Sequence, residues 1–107
     1  MTQLQKTRRQ LLEEFAAAHP ADAFARYGLA LECANSGDPA AAIEHFCQLL
    51  AAHPDYVAGY FHYGQLLVRL ARTEEAKKIL ASGVAVAQKV GDEHAGSEMQ
   101  AALEELG

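Results

Sequence analysis

The stretch Ala42-Ile-Glu-His-Phe-Cys-Gln-Leu-Leu-Ala-Ala-His-Pro-Asp55, followed closely by Tyr60-Phe-His-Tyr-Gly64, decides the fold. It reads as a packing helix, a Pro-Asp corner and the opening of a second helix. Proline at 54 lacks a backbone donor and disfavours helix at the residue before it, so the first helix ends there. The corner occurs twice, as His19-Pro20 and again as His53-Pro54, and the two copies set a 34-residue period. A period of that length predicts an array of helical hairpins, which bury their cores by stacking on neighbours.

Upstream of this stretch, residues 3 to 19 read as a helix. Leu4, Leu11, Leu12, Phe15 and Ala16 fall largely on one face and Pro20 ends it. Asp22 is placed to cap a second helix, about 23 to 36. Its apolar residues form two stripes, Phe24, Tyr27, Leu31 and Ala34, and Leu29, Ala30 and Cys33. A helix with two such stripes is touched on two sides. Gly37 can take the left-handed turn that closes a helix. Asp38-Pro39 then opens the third helix, with Asp as cap and Pro in the first turn. Its expected buried face is Ala42, Ile43, Phe46, Cys47, Leu49 and Leu50.

Downstream, Asp55 is expected to cap a fourth helix, about 56 to 70, and Thr73 a fifth, about 74 to 90. Ala76, Ile79, Leu80, Gly83, Val84, Ala87 and Val90 are expected to face inward. Gly91 ends that helix, and Asp92 caps a sixth, about 93 to 106. The sixth has one apolar stripe, including Met99 and Leu103, and one polar side, as the end of a helical array requires. Short connections between all six imply antiparallel neighbours.

Composition narrows the class of function. The chain has 107 residues, half of them hydrophobic, and a net charge of −5. It is long enough for one core, and its charge argues against non-specific nucleic-acid binding. Two cysteines do not make a disulfide scaffold; a reduced pair and a cytoplasmic location are expected. No apolar run approaches the ~20 residues of a membrane span. Lys6, Arg8 and Arg9 have no apolar segment behind them, so the start does not read as a secretory signal.

The same offset extends beyond the corners. Ala42 aligns with Ala76, Phe46 with Leu80, Leu50 with Val84, and Tyr27 with Phe61. The second copy runs Tyr60-x2-Tyr63-Gly64-x2-Leu67, then Ala76-x3-Leu80; the first runs Arg26-x2-Leu29-Ala30-x2-Cys33, then Ala42-x3-Phe46, then Pro54. This resembles the tetratricopeptide repeat. The resemblance implies an all-α fold, a short right-handed α-solenoid of antiparallel helix pairs. It gives one domain with repeats at 23–56 and 57–90, a half repeat at 3–20, and a capping helix at 92–107. Gly64 and Ala30 mark where two helices nearly touch. Arg26 stands where the pattern has a large aromatic, Ala71 where it has a glycine, and Gln88 where it has the closing proline.

The resemblance also implies a concave groove lined by the first helix of each repeat. Here that face comprises Phe24, Tyr27, Leu31 and Asn35, then Phe61, Gln65, Val68 and Arg69, then Met99 and Leu103. Aromatic and apolar side chains with a few polar hooks suit a partner's peptide or helix. The same residues could instead be ordinary core. Tyr27 and Leu31 stand where one subclass carries the Lys and Asn that clamp a chaperone's C-terminal carboxylate, which argues against that ligand.

The five histidines show no i, i+4 pair and no metal-ligand spacing. Nor is there a phosphate-cradling glycine loop or a nucleophile motif. No metal, cofactor or catalytic site is expected. The expected role is a non-enzymatic protein-interaction module. The alternatives are a structural unit that dimerises through the apolar groove face and, more remotely, a small enzyme.

Overall fold

The computed structural model describes residues 5–107. Six α-helices and no strands are found among the described residues: α1 Arg8–Ala18, α2 Ala23–Asn35, α3 Pro39–Ala52, α4 Val57–Arg69, α5 Thr73–Val90 and α6 Glu93–Leu106. Two compact units divide the chain, the first ending at Ala52 and the second spanning His53–Gly107. In the first, α2 packs on α3 and α1 on α2; in the second, α5 packs on both α4 and α6, and α4 also touches α6.

The start of α1 differs from the expected helix over 3 to 19. Residues 5 to 7 are not helical, and Leu4 lies outside the described residues. Thr7 sets the boundary with a reciprocal cap. Its Oγ1 accepts from the Gln10 N–H at 3.1 Å, and Gln10 Oε1 accepts from the Thr7 N–H at 2.8 Å. Asp22 and Asp92 cap as expected, each accepting from the N–H three residues on at 3.1 Å. Asp38 does the same for Ala41 at 3.2 Å.

Asp55 and Thr73 do not cap. Tyr56 and Arg72 occupy those positions, and neither makes a side-chain cap hydrogen bond. Asp55 instead receives Lys89 Nζ at 3.2 Å. Thr73 is already the first residue of α5. Arg72 pairs with Glu75 through two hydrogen bonds of 2.9 and 2.7 Å.

The helix ends repeat with the sequence. After α2, the Asp38 N–H reaches the Cys33 carbonyl at 2.9 Å. After α4, Arg72 reaches Leu67 at 2.9 Å and Ala71 reaches Val68 at 3.0 Å. These bonds close a helix through one left-handed residue. Gly37 fills that place in the first hairpin with φ +83°, and Ala71, one repeat period later, with φ +59°. Alanine there carries a Cβ into a region that favours glycine.

Small residues set the helix spacing. Ala30, Ala42 and Ala76 are completely buried. A Cβ on Gly64 would fall 2.5 Å from Leu80 Cδ2, and one on Gly83 would run into Met99 Sδ and Tyr60 Cβ. The large buried residues include Leu29 and Phe46 in the first unit and Leu67, Leu80 and Met99 in the second. Several expected core positions are open. Leu11 and Phe15 are 54% and 48% exposed, Val90 is exposed at the end of α5, and Cys47 is exposed while Cys33 is buried. Helical spacing puts residues on a stripe, but the stripe on α1 is wider than the contact with α2 covers.

Candidate partner-binding site

In the first unit, α2 carries Phe24, Tyr27, Leu31 and Asn35 along one side, as helical periodicity dictates. These four face a cleft of about 640 Å³, whose other wall is α1 with Arg8, Leu12 and Phe15. Phe24 is 72% exposed, and its ring centroid lies 6.3 Å from that of Tyr27. Thus α1 forms a wall beside this aromatic face and leaves Phe24 open. Arg8 Nε meets Glu32 Oε2 at 3.2 Å across the cleft.

In the second unit, Phe61, Gln65, Val68 and Arg69 share one side of α4. Gln65, Val68 and Arg69 are exposed and Phe61 is half-buried. The opposite residues of α4, including Tyr60, Gly64 and Leu67, are buried. Met99 does not join the exposed set. It is completely buried in α6, beside Gly83, whose missing Cβ leaves room for the thioether. Met99 is therefore core, and Leu103 is partly buried on the same stripe.

Arg8, Leu12, Phe15 and Glu32 are cleft residues that the groove expectation left out. A signal for them was present: Leu12 and Phe15 stand one repeat period before Phe46 and Leu49, which are buried in the α2–α3 hairpin. Among the described residues of its unit, α2 is the one helix that packs on α1.

Charges around the first unit are held locally. Arg9 Nη1 lies 2.9 Å from Asp38 Oδ2. The Ala41 N–H and this guanidinium hold the Asp38 carboxyl below the usual carboxylate range. Arg26, which replaces the pattern's aromatic, places Nη1 3.2 Å from His45 Nδ1 and so ties α2 to α3. Its counterpart Tyr60 packs by Gly83 and donates its hydroxyl to the Pro54 carbonyl at 2.6 Å. Burial, then the Arg26 charge, pushes the His45 pKa down, and burial lowers that of His62. Burial raises the Cys33 thiol.

Among the described residues no group of three or more His, Cys, Asp or Glu could hold a metal ion. No helix is long and apolar enough to cross a membrane among them. The arrangement offers apolar and aromatic surface with a few polar groups, and it suits binding.

Antiparallel helix pairs, a 34-residue period and small residues at each close approach define a helical-repeat protein. The profile of the tetratricopeptide repeat family matches residues 35–105, and the chain belongs to that family. A tetratricopeptide repeat domain protein from Salinibacter ruber is similar in its solution structure, with 38% identity, 81% of this chain and 88% of that chain covered, and a TM-score of 0.77. A crystal structure of such a protein from the same organism gives 38% identity, 79% and 96% coverage, and a TM-score of 0.74. A Bordetella parapertussis protein is similar over 95% of this chain and 89% of its own, with 25% identity and a TM-score of 0.81. No curated protein matches the chain.

Proposed function

We propose that this chain is a non-enzymatic, cytoplasmic interaction module that binds a peptide or helix of a partner protein. Family membership supports the general role, because the tetratricopeptide fold generally mediates protein–protein interaction. The observation that carries the reading is the open cleft of the first unit. Phe24, Tyr27 and Leu31 line it with Asn35 at its edge, and Phe24 is too exposed to be core. Aromatic residues supply much of the energy when a partner removes them from water. In the second unit, Phe61, Gln65, Val68 and Arg69 on α4 are the residues proposed to contact a partner. Arg69 adds a cationic hook for an acidic residue, and Asn35 can bond a peptide backbone.

The test is selection of peptides from a displayed library, followed by affinity measurements with Phe61→Ala and Arg69→Ala. The proposal expects Phe61→Ala to weaken binding by about 2 kcal/mol. The Arg69→Ala loss should be confined to acidic peptides and shrink at high salt. Selected peptides indifferent to both changes would remove α4 from the site. Self-association through the same face is the competing reading. A sedimentation profile that stays monomeric at high concentration supports the open groove.

A further inference from the structure

Two helix pairs in this chain are equivalent at twice the repeat period. Leu12, Phe15 and Leu31 of α1 and α2 stand two periods before Leu80, Gly83 and Met99 of α5 and α6. In the second unit the angle between α5 and α6 is filled, because α4 packs on both. Gly64 of α4 lies against Leu80 and Tyr60 against Gly83. Leu80, Gly83 and Met99 are all buried. In the first unit the equivalent angle holds the 640 Å³ cleft. Leu12 and Leu31 are partly exposed there, and Phe15 is 48% exposed.

The geometry points to this cleft as the seat of an amphipathic α-helix from a partner protein, which takes the place beside α1 and α2 that α4 takes beside α5 and α6. The inference rests on the interaction reading above and narrows it to one conformation and one direction. In the second unit, residue 60 lies opposite 83 and residue 64 opposite 80, so α4 runs antiparallel to α5. The partner helix runs antiparallel to α1 in the same way.

Residue differences between the two pairs set what the helix must carry. Phe15 lines the cleft at the position where the second unit has Gly83, so the partner needs a small residue where α4 has Tyr60. Beside Leu12 it needs a small residue, as Gly64 is beside Leu80. Arg8 replaces Ala76 at the other end of the stripe and is paired with Glu32. A polar side chain there keeps that pair hydrogen-bonded as water leaves. A second copy has no spare helix to offer, since each of the six described helices is already packed within its own unit.

Two synthetic helix-stapled peptides test this, one with the α4 sequence Val57–Arg69 and one with Tyr60→Ala in it. NMR titration of the full chain should show the Tyr60→Ala peptide shifting Leu12, Phe15 and Leu31. It should bind about tenfold more tightly than the unaltered peptide, because only the latter clashes with Phe15. Phe15→Ala in the protein should reverse that preference. Equal affinities, absence of binding by both, or shifts that spare Leu12 and Phe15 would overturn the inference. If library-selected peptides still depend on Phe24 in that case, the broader interaction reading survives alone. A dimer that Phe15→Ala dissolves would put a second copy in the seat and also overturn it.

Discussion

At the residue scale, Gly64 within α4 and Ala71 in the turn after it carry opposite forecasts. A Cβ on Gly64 would sit 2.5 Å from Leu80 Cδ2 inside a packed interface. Gly64→Leu should therefore cost on the order of 1–3 kcal/mol, read as a lower urea midpoint with an unchanged slope. Ala71 holds φ +59° in the turn where Gly37 closes the preceding hairpin. Ala71→Gly relieves that strain and loses part of the gain to the greater freedom of the unfolded chain. It should stabilise by about 0.5–1 kcal/mol. His45 makes a pH forecast. Its pKa is below the ordinary 6.5 when folded, so the native chain binds fewer protons than the unfolded chain just below that pH. Stability is then full above 6.5 and falls as pH drops from 6.5 toward the folded value. Protonation also turns Nδ1 from acceptor to donor beside Arg26. Thermal melts from pH 7.5 to 5 should show a shallower fall for His45→Gln than for the wild type.

At the element scale, α6 is structural. Met99 is completely buried in the space left by Gly83, so Met99→Ala should cost about 2–5 kcal/mol of stability. Calorimetry that finds Met99→Ala harmless would show that α6 does not complete the second unit's core. Four of the five junctions between the six helices were legible in the sequence because Pro20, Gly37, Pro54 and Gly91 stop helices by backbone chemistry alone, whereas the α4–α5 junction turns at Ala71. Caps were less legible. Asp55 and Thr73 have the right residue type, but Asp55 is engaged by Lys89 and α5 already includes Thr73. Phe24, Tyr27, Leu31 and Asn35, the face that the family resemblance implied on α2, line one cleft. The resemblance put Met99 on the groove face, but a stripe on a terminal helix can face either neighbour or partner, and packing against Gly83 buries it. The exposure of Leu11 and Phe15 was hidden for a related reason. Their spacing is that of a core helix, and the missing information is which helix covers it.

At the scale of the whole molecule, the family assignment and the folds of the two units support a binding role, and the apolar cleft of the first unit is where that role is proposed to reside. The net charge of −5 favours partners that present neutral or basic surroundings to an apolar anchor. Phe24 separates binding from folding better than any other residue of the face, because it lines the cleft while being 72% exposed. Tyr27 and Phe61 are more buried and report on both. The direct measurement is affinity for a library-selected peptide set beside the melting temperature, for wild type and Phe24→Ala. The predicted result is binding weakened about tenfold or more, with a melting temperature unchanged within error. Unchanged affinity, or a loss of affinity matched by a large drop in melting temperature, would contradict the placement of the site.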